Sequence, residues 1–303
     1  MWSSDLTPDL DVFIDEKFTD ESRLNRTSEN RLVSDMPVVV CASQKGGSGK
    51  TTLASHIAVQ AERSGAGPVA LIDTDPQGSL ADWWNTREAD APVFVKTHIG
   101  QIGHDLADLR DQGISLVVID TPPAVTSMIQ GIIRFADLVV IPTRPSPLDL
   151  RAVGPTVDMV EHESKALVFV VNAATPRARI TTDAAIALSQ HGAVAPQVVH
   201  HRNDFAQSMI DGRTVMELRE NSKSSSEISE LWAYIDERLE QTVRHPHQEG
   251  EVMAEVPAGI SGESAFGPDH RSEKSYVLTA QPETGVQHGA GAPNRWFGRR
   301  QTG

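Results

Sequence analysis

Val38-Val39-Val40-Cys41-Ala42, then Lys45-Gly46-Gly47-Ser48-Gly49-Lys50-Thr51-Thr52, then Leu53-Ala54-Ser55-His56-Ile57-Ala58-Val59: an apolar run, a glycine-rich turn and a helical run follow in quick succession. The first predicts a buried strand and the last a helix. A glycine-rich turn between strand and helix gathers free backbone N–H groups and the positive end of the helix into one anion site. In such a site Lys50 reaches the β- and γ-phosphates of a nucleotide, and the Thr51 hydroxyl binds Mg²⁺. The ordinary pattern, G-x-x-x-x-G-K-[ST], has glycine where this chain has Gln44. An additional lysine, Lys45, stands at the front of the loop.

Outward from this loop, apolar strand-like runs alternate with helical segments from Pro37 to about Val243. Candidate strands are 38–42, Val69–Asp73, Val93–Lys96, Leu116–Asp120, Leu138–Ile141, Leu167–Asn172 and Gln197–His200. Their short, unbroken apolar character suits parallel strands buried on both faces. Asp105–Arg110, Asp183–Leu188 and Glu227–Val243 have helical spacing, the last with Ile228, Leu231, Trp232, Ile235 and Leu239 on one side. Repeated strand–helix units predict an α/β fold with a doubly wound, mostly parallel sheet, whose ligands sit at the carboxyl ends of the strands.

The flanks differ in composition. Residues 1–36 are polar and acidic and predict a loosely ordered arm; residues 244–303, rich in Gly, Pro, Ser, Glu and His, predict a disordered tail. A net charge of −14 argues against global attraction to nucleic acid or an anionic membrane, so any DNA contact must come from a few clustered basic residues. No apolar run is long enough to span a bilayer and the N-terminus is too acidic for a signal peptide, which predicts a cytoplasmic protein without membrane attachment. One cysteine, Cys41, gives neither a disulfide framework nor a cysteine metal cluster within one chain, and reads as a small buried hydrophobe.

Two further stretches carry chemistry. Leu71-Ile72-Asp73-Thr74-Asp75-Pro76-Gln77-Gly78-Ser79 leaves a strand with two carboxylates, which can order a nucleophilic water or hold a metal's water shell. The same residues also read as an Asp-Pro turn with Ser79 capping the next helix. Leu116-Val117-Val118-Ile119-Asp120-Thr121-Pro122-Pro123 is a Walker B-like strand whose Asp120 is expected near Mg²⁺.

Taken in order, Lys45–Thr52, Asp73–Ser79 and Asp120–Pro123 resemble the deviant Walker A, switch I and Walker B/switch II motifs of the ParA partition ATPases, in the short form without an N-terminal helix-turn-helix domain. The resemblance covers roughly residues 37–240 and implies a P-loop NTPase using ATP and Mg²⁺. It implies that Lys45 crosses an ATP-sandwich homodimer to the partner's phosphates, where it would neutralise developing charge as arginine fingers do. Gly46, Gly47, Ser48, Gly49, Lys50, Thr51 and Thr52 would cradle the nucleotide. Asp75 would arrange the attacking water, and Thr51, Asp75 and Asp120 would serve the metal. Asn172 matches an adenine-contacting asparagine of the family; it reads equally as a helix or turn cap.

The resemblance further implies non-specific DNA binding by the ATP dimer, nucleoid association, and a centromere-binding, ParB-like adaptor that stimulates hydrolysis. Arg177, Arg179, Arg202 and Arg213 are the candidate DNA contacts, each of which reads as well as a surface ion-pair partner. His200-His201 lacks the additional ligands of a metal site. Of Trp83 and Trp84, one is expected to pack into the core, with a partner-binding or switch-reporting role as the lesser alternative for the other. Asn294–Arg300 mixes basic and aromatic residues, reading as a solvated tail or a nucleic-acid or protein contact.

The function expected is segregation of plasmid or chromosomal DNA. The competing readings are a relative that positions a protein cargo or a conjugation complex, and a nucleotide-gated scaffold with little turnover. A MinD-like membrane regulator lacks its amphipathic C-terminal helix here, an iron–sulfur carrier its paired cysteines, and a tyrosine kinase its tyrosine-rich tail.

Overall fold

The computed structural model describes residues 36–123 and 127–244, with only the backbone of Val243 and Arg244. The expected acidic arm and tail, Asn294–Arg300 included, lie outside the described residues. Seven strands form one parallel sheet: β1 (Val38–Cys41), β2 (Val69–Asp73), β3 (Val93–Val95), β4 (Leu116–Asp120), β5 (Leu138–Thr143), β6 (Ala166–Val171) and β7 (Ala193–Val194), in the order β3-β2-β4-β1-β5-β6-β7. The doubly wound sheet expected from the alternating pattern is therefore present.

Alternate strand residues feed two cores. Val39, Cys41 and Leu71 face one layer, while Val38, Val40 and Ile72 face the other. The first layer is closed by α1 (Lys50–Ser64), α2 (Ser79–Asn85), α9 (Val215–Leu218) and α10 (Lys223–Arg244). The second is closed by α3 (Ile102–Asp111), α4 (Ser127–Ile133), α6 (Gly154–His162) and α7 (Arg179–Ser189). Two short helices, α5 (Pro147–Arg151) and α8 (Asn203–Met209), complete the described residues. On α10, Ile228, Leu231, Trp232, Ile235 and Leu239 are all buried, as their spacing predicts. Each such side chain contributes about 1.5–3 kcal/mol when fully buried.

The last strand is displaced from its expected place. Gln197–His200 forms no strand; the sheet ends at Ala193–Val194, and His200 makes only an isolated bridge to Ala174. Gly192 stands at the start of the observed pairing. It packs so closely on β6 that an added Cβ would lie 2.5 Å from Leu167 Cδ1, and Ala193 and Val194 directly after it pair with Val168 and Phe169.

The order of the strands places the site. β4 lies between β1 and β2, with Cys41 level with Asp120 and Asp120 level with Asp73. The loop after β1, the turn after β2 and the turn after β4 thus open at one height on one edge of the sheet. On the other side of β1, β5 and β6 end together, Thr143 opposite Val171.

Candidate nucleotide site

The loop from Ser43 to Gly49 carries the chain from β1 into α1. Gly47 and Gly49 adopt φ of 73° and 99°, conformations that disfavour a side chain. Gly49 is also constrained by space: a Cβ would lie 2.2 Å from Asn172 Nδ2. That amide, 7% exposed, donates to the Ser48 carbonyl at 2.7 Å, so the end of β6 pins the loop. No helix N-cap is assigned to Asn172, so the capping role considered for it is not the one observed; it braces the loop instead. Lys45 is exposed at the front of the loop, whereas Lys50 is buried at the start of α1. Burial holds the Lys50 ammonium below the ordinary lysine range, while Asp120 and Asp75 pull it back up.

Asp120 is 1% exposed and accepts the Thr51 hydroxyl on Oδ2 at 2.6 Å. Burial pushes its carboxyl up to about 7, with Asp73 and Asp75 adding repulsion and the Thr51 hydroxyl and Lys50 opposing it. Three buried polar atoms in this region, Gln44 Nε2, Ser48 Oγ and Asp120 Oδ1, have no hydrogen-bond partner in the described structure. Buried polar groups are nearly always paired, and orphans of this kind mark places that a ligand completes. A buried carboxylate with one free oxygen, beside a threonine hydroxyl and a lysine, fits a divalent cation and the polyphosphate it accompanies. Thr51, Asp120 and the loop amides therefore suit Mg²⁺ and a nucleotide.

The two carboxylates after β2 divide their work. Asp73 accepts Asp75 N–H at 2.9 Å on one oxygen, and Leu80 and Ala81 N–H, each at 3.1 Å, on the other. It thereby caps α2 from a distance. The expectation that Ser79 caps this helix is corrected: the N-cap position is Gly78, left-handed at φ 68°, and the capping oxygen comes from Asp73. Burial raises the Asp73 carboxyl, and the three amides counter it. The Asp75 carboxylate accepts the Gln77 N–H, at 2.9 Å, and the half-exposed side chain stands near Lys50 and Asp120. Thr74 and Thr121 knit the turns together, the Thr74 hydroxyl to the Asp120 carbonyl at 2.6 Å and the Thr121 hydroxyl to the Cys41 carbonyl at 2.9 Å. Cys41 is buried, and burial together with Asp120 pushes its thiol far up, leaving it an inert packing group.

Beside the loop lies a cleft of about 310 Å³, lined by Gly49, Thr52, Asn172, Val199 and Phe205 among others. It offers an apolar wall next to the anion cradle. The sequence reading placed Asn172 here but passed over Arg144, which also lines the cleft and lies over Gly47. The only sequence signal for Arg144 was its place directly after the strand beside β1.

The arginines considered for DNA separate into two pairs. Arg202 donates to Glu227 at 2.5 Å and is one-quarter exposed, and Arg213 pairs with Asp211 at 2.6 Å. Arg177 and Arg179 are exposed and have no ion pair in the described structure. His200 is likewise occupied, its Nδ1 2.8 Å from Glu227. Both tryptophans are anchored. Trp83 is in the core with its indole N–H toward the Arg213 carbonyl, and half-buried Trp84 stacks on Phe94 and donates to the Pro92 carbonyl. The expectation of one tryptophan in the core is met by Trp83.

The sheet order, the glycine loop and the aspartates at one height define a nucleotide-binding domain of the ParA and MinD type. The family described as CobQ/CobB/MinD/ParA nucleotide binding domain matches residues 39–215, more than half of the chain, and the protein belongs to it. It is 32% identical over 197 residues to maintenance of carboxysome distribution protein A of Halothiobacillus neapolitanus, covering 61% of this chain and 89% of that protein. Protein ParA of Rhizobium radiobacter is 31% identical over 134 residues, covering 44% of this chain and 60% of the relative. Among solved structures, Cyanthece apo McdA matches with a TM-score of 0.56 at 17% identity, over 67% of this chain and 99% of that one. The MinD cell division ATPase of Pyrococcus furiosus matches with a TM-score of 0.56 at 14% identity, over 66% and 98%. These two likenesses establish the shared fold. No helix among the described residues is long and apolar enough to cross a membrane.

Proposed function

We propose that the chain is an ATP-driven positioning ATPase, which closes as an ATP-sandwich dimer, holds DNA as a track, and opens on hydrolysis. The observation that carries this reading is the Thr51–Asp120 pair with its orphaned Oδ1, set level with Asp73 beside a buried Lys50. When bound, Mg²⁺ neutralises phosphate charge and ATP supplies the bond to be hydrolysed. Thr51 and Asp120 would hold the metal, and the amides of Gly46 to Thr52 with the Lys50 ammonium would hold the phosphates. Asp75, whose second oxygen is left for solvent, aligns the attacking water and also faces the metal's water shell. Lys45, exposed at the front of the loop, extends to the phosphates of a second copy. Asn172, besides bracing Ser48, offers its carbonyl oxygen to an adenine edge.

DNA contact is assigned to Arg177 and Arg179, which have no ion pair among the described residues, joined by exposed Arg151 at the end of α5, a helix that touches α7. Arg202 and Arg213 would first have to leave their carboxylates. The extensive match to a relative named for carboxysome distribution favours a protein body as cargo, with an adaptor that stimulates hydrolysis. The shorter match to a protein named ParA keeps DNA segregation through a ParB-like adaptor as the second reading. Nucleoid association would accompany either one. Phosphate release from Mg-ATP, with and without duplex DNA, tests the enzyme. ATP-dependent release supports it, and its absence in the wild type leaves only a nucleotide-gated scaffold. Deleting the gene distinguishes the cargoes: a clustered protein body supports the first reading, and loss of DNA with evenly spaced bodies supports the second.

A further inference from the structure

The end of β5 delivers a cation to the nucleotide site. Thr143 accepts the Asn172 N–H at 2.9 Å, Ser146 N–H donates to the Arg144 carbonyl at 2.8 Å, and Ala42 N–H donates to the Val140 carbonyl at 3.0 Å. The backbone of Arg144 is thus fixed next to the loop that follows β1. Its guanidinium lies over that loop, with Nη2 3.7 Å from where a Cβ on Gly47 would stand. It also lines the cleft shared with Gly49 and Thr52. Arg202, at the same cleft, is paired with Glu227, which also lies 2.8 Å from His200 Nδ1. Arg144 has no ion pair in the described structure and no carboxylate among the residues lining the cleft. A planar donor fork without a counter-ion, beside backbone amides that gather anions, is suited to phosphate oxygens.

We propose that Arg144 binds the polyphosphate of the nucleotide held by its own chain, as a second same-chain cation beside Lys50. The proposal rests on the nucleotide-site reading and adds a contact to it. Lys50 approaches from the first turn of α1, below the loop. Arg144 approaches from the β5–α5 connection, across Gly47, at the junction between the phosphate cradle and the apolar cleft. A nucleotide with its base in the cleft and its terminal phosphates in the loop would pass this junction. The side chain is exposed and outside both cores, so its removal should leave the fold intact.

The test titrates Mg-ADP into the full chain at fixed ionic strength, comparing wild type with Arg144→Ala, Arg144→Lys, Lys50→Ala and, as a charge control, Arg110→Ala on α3. ADP is chosen because it probes the same-chain contact without the ATP-dependent dimer. Arg144→Ala should bind about tenfold to a hundredfold more weakly, the worth of one charge-assisted hydrogen-bonded pair. Arg144→Lys should recover part of the loss, Arg110→Ala should bind as wild type, and unfolding without nucleotide should be unchanged in Arg144→Ala. Wild-type ADP affinity in Arg144→Ala overturns the proposal, also if ATP-dependent dimerisation alone is lost, which would move the contact to the partner's nucleotide. If wild type and Lys50→Ala bind ADP alike, the nucleotide-site reading itself fails.

Discussion

His56 should give this protein a measurable acid sensitivity, and His56→Gln should remove it. The ring is fully buried in α1, one turn beyond Thr52. Nδ1 lies 2.7 Å from the Thr52 carbonyl, and the Val215 N–H donates to Nε2 at 3.2 Å. Those two partners fix the neutral tautomer: Nδ1 must carry the proton and Nε2 must accept. A second proton on Nε2 would set two donors against each other in a site closed by Phe205, whose ring centroid is 5.2 Å away. Burial accordingly pushes the imidazole down from its ordinary 6.5 to about 4, against the Thr52 bond and Glu217, with Arg87 adding to the depression. The unfolded chain therefore takes this proton first, and stability is fully present above pH 6.5 and lost as pH falls toward 4. The gap is worth about 3 kcal/mol at the lower end of that window. Asp120, pushed up to about 7, works in the opposite direction over much of the same range, so the wild-type curve alone is ambiguous. Gln can donate to Thr52 and accept from Val215 without titrating. Urea unfolding from pH 7 to 4, without nucleotide, should show His56→Gln gaining on the wild type by up to about 3 kcal/mol as pH falls. Parallel curves for the two proteins would refute the argument.

Three further outcomes follow from the packing and the surface charge. Gly49→Ala would drive a Cβ to 2.2 Å from Asn172 Nδ2 at a φ of 99°, so it should fold yet lose about tenfold or more in ADP affinity by titration. Arg87→Ala should cost about 3 kcal/mol in urea unfolding, because the buried guanidinium pairs with Glu217 at 2.6 Å, donates to the Gly212 carbonyl and covers Trp83. Arg177→Glu with Arg179→Glu should abolish ATP-dependent retention of duplex DNA in a filter assay, whereas Arg213→Glu alone should leave most of it; the reverse pattern would move the DNA face.

What the sequence made legible was set by local chemistry. The loop from Lys45 to Thr52 and the aspartates ending two apolar runs announce their neighbours, because glycine spacing and a charge at a strand end have few other uses. Continuous runs such as Val38–Cys41 and Leu116–Asp120 could be placed as buried strands for the same reason. The helices α4, α5, α6, α8 and α9 were not distinguished, being short or, as in Gly154–His162, opened by Gly and Pro. Roles created by tertiary approach were invisible. Asp73, which the sequence does not set apart from Asp75, serves largely as a remote cap, Asn172 reaches across 124 positions to brace Ser48, and Arg202 is claimed by Glu227 on a distant helix. Arg144 escaped attention because nothing in Thr143-Arg144-Pro145 reveals that β5 ends beside the loop.

The central claim is that Lys45 completes the site of a second copy, and complementation tests it most directly. Lys45→Ala should bind ATP without turnover, and Lys50→Ala should neither bind nor turn over. Mixed together with Mg-ATP, they should recover phosphate release, because the Lys50→Ala protomer still presents an intact Lys45 to the nucleotide held by its partner. Release from the mixture no greater than the sum of the two variants alone would contradict the account.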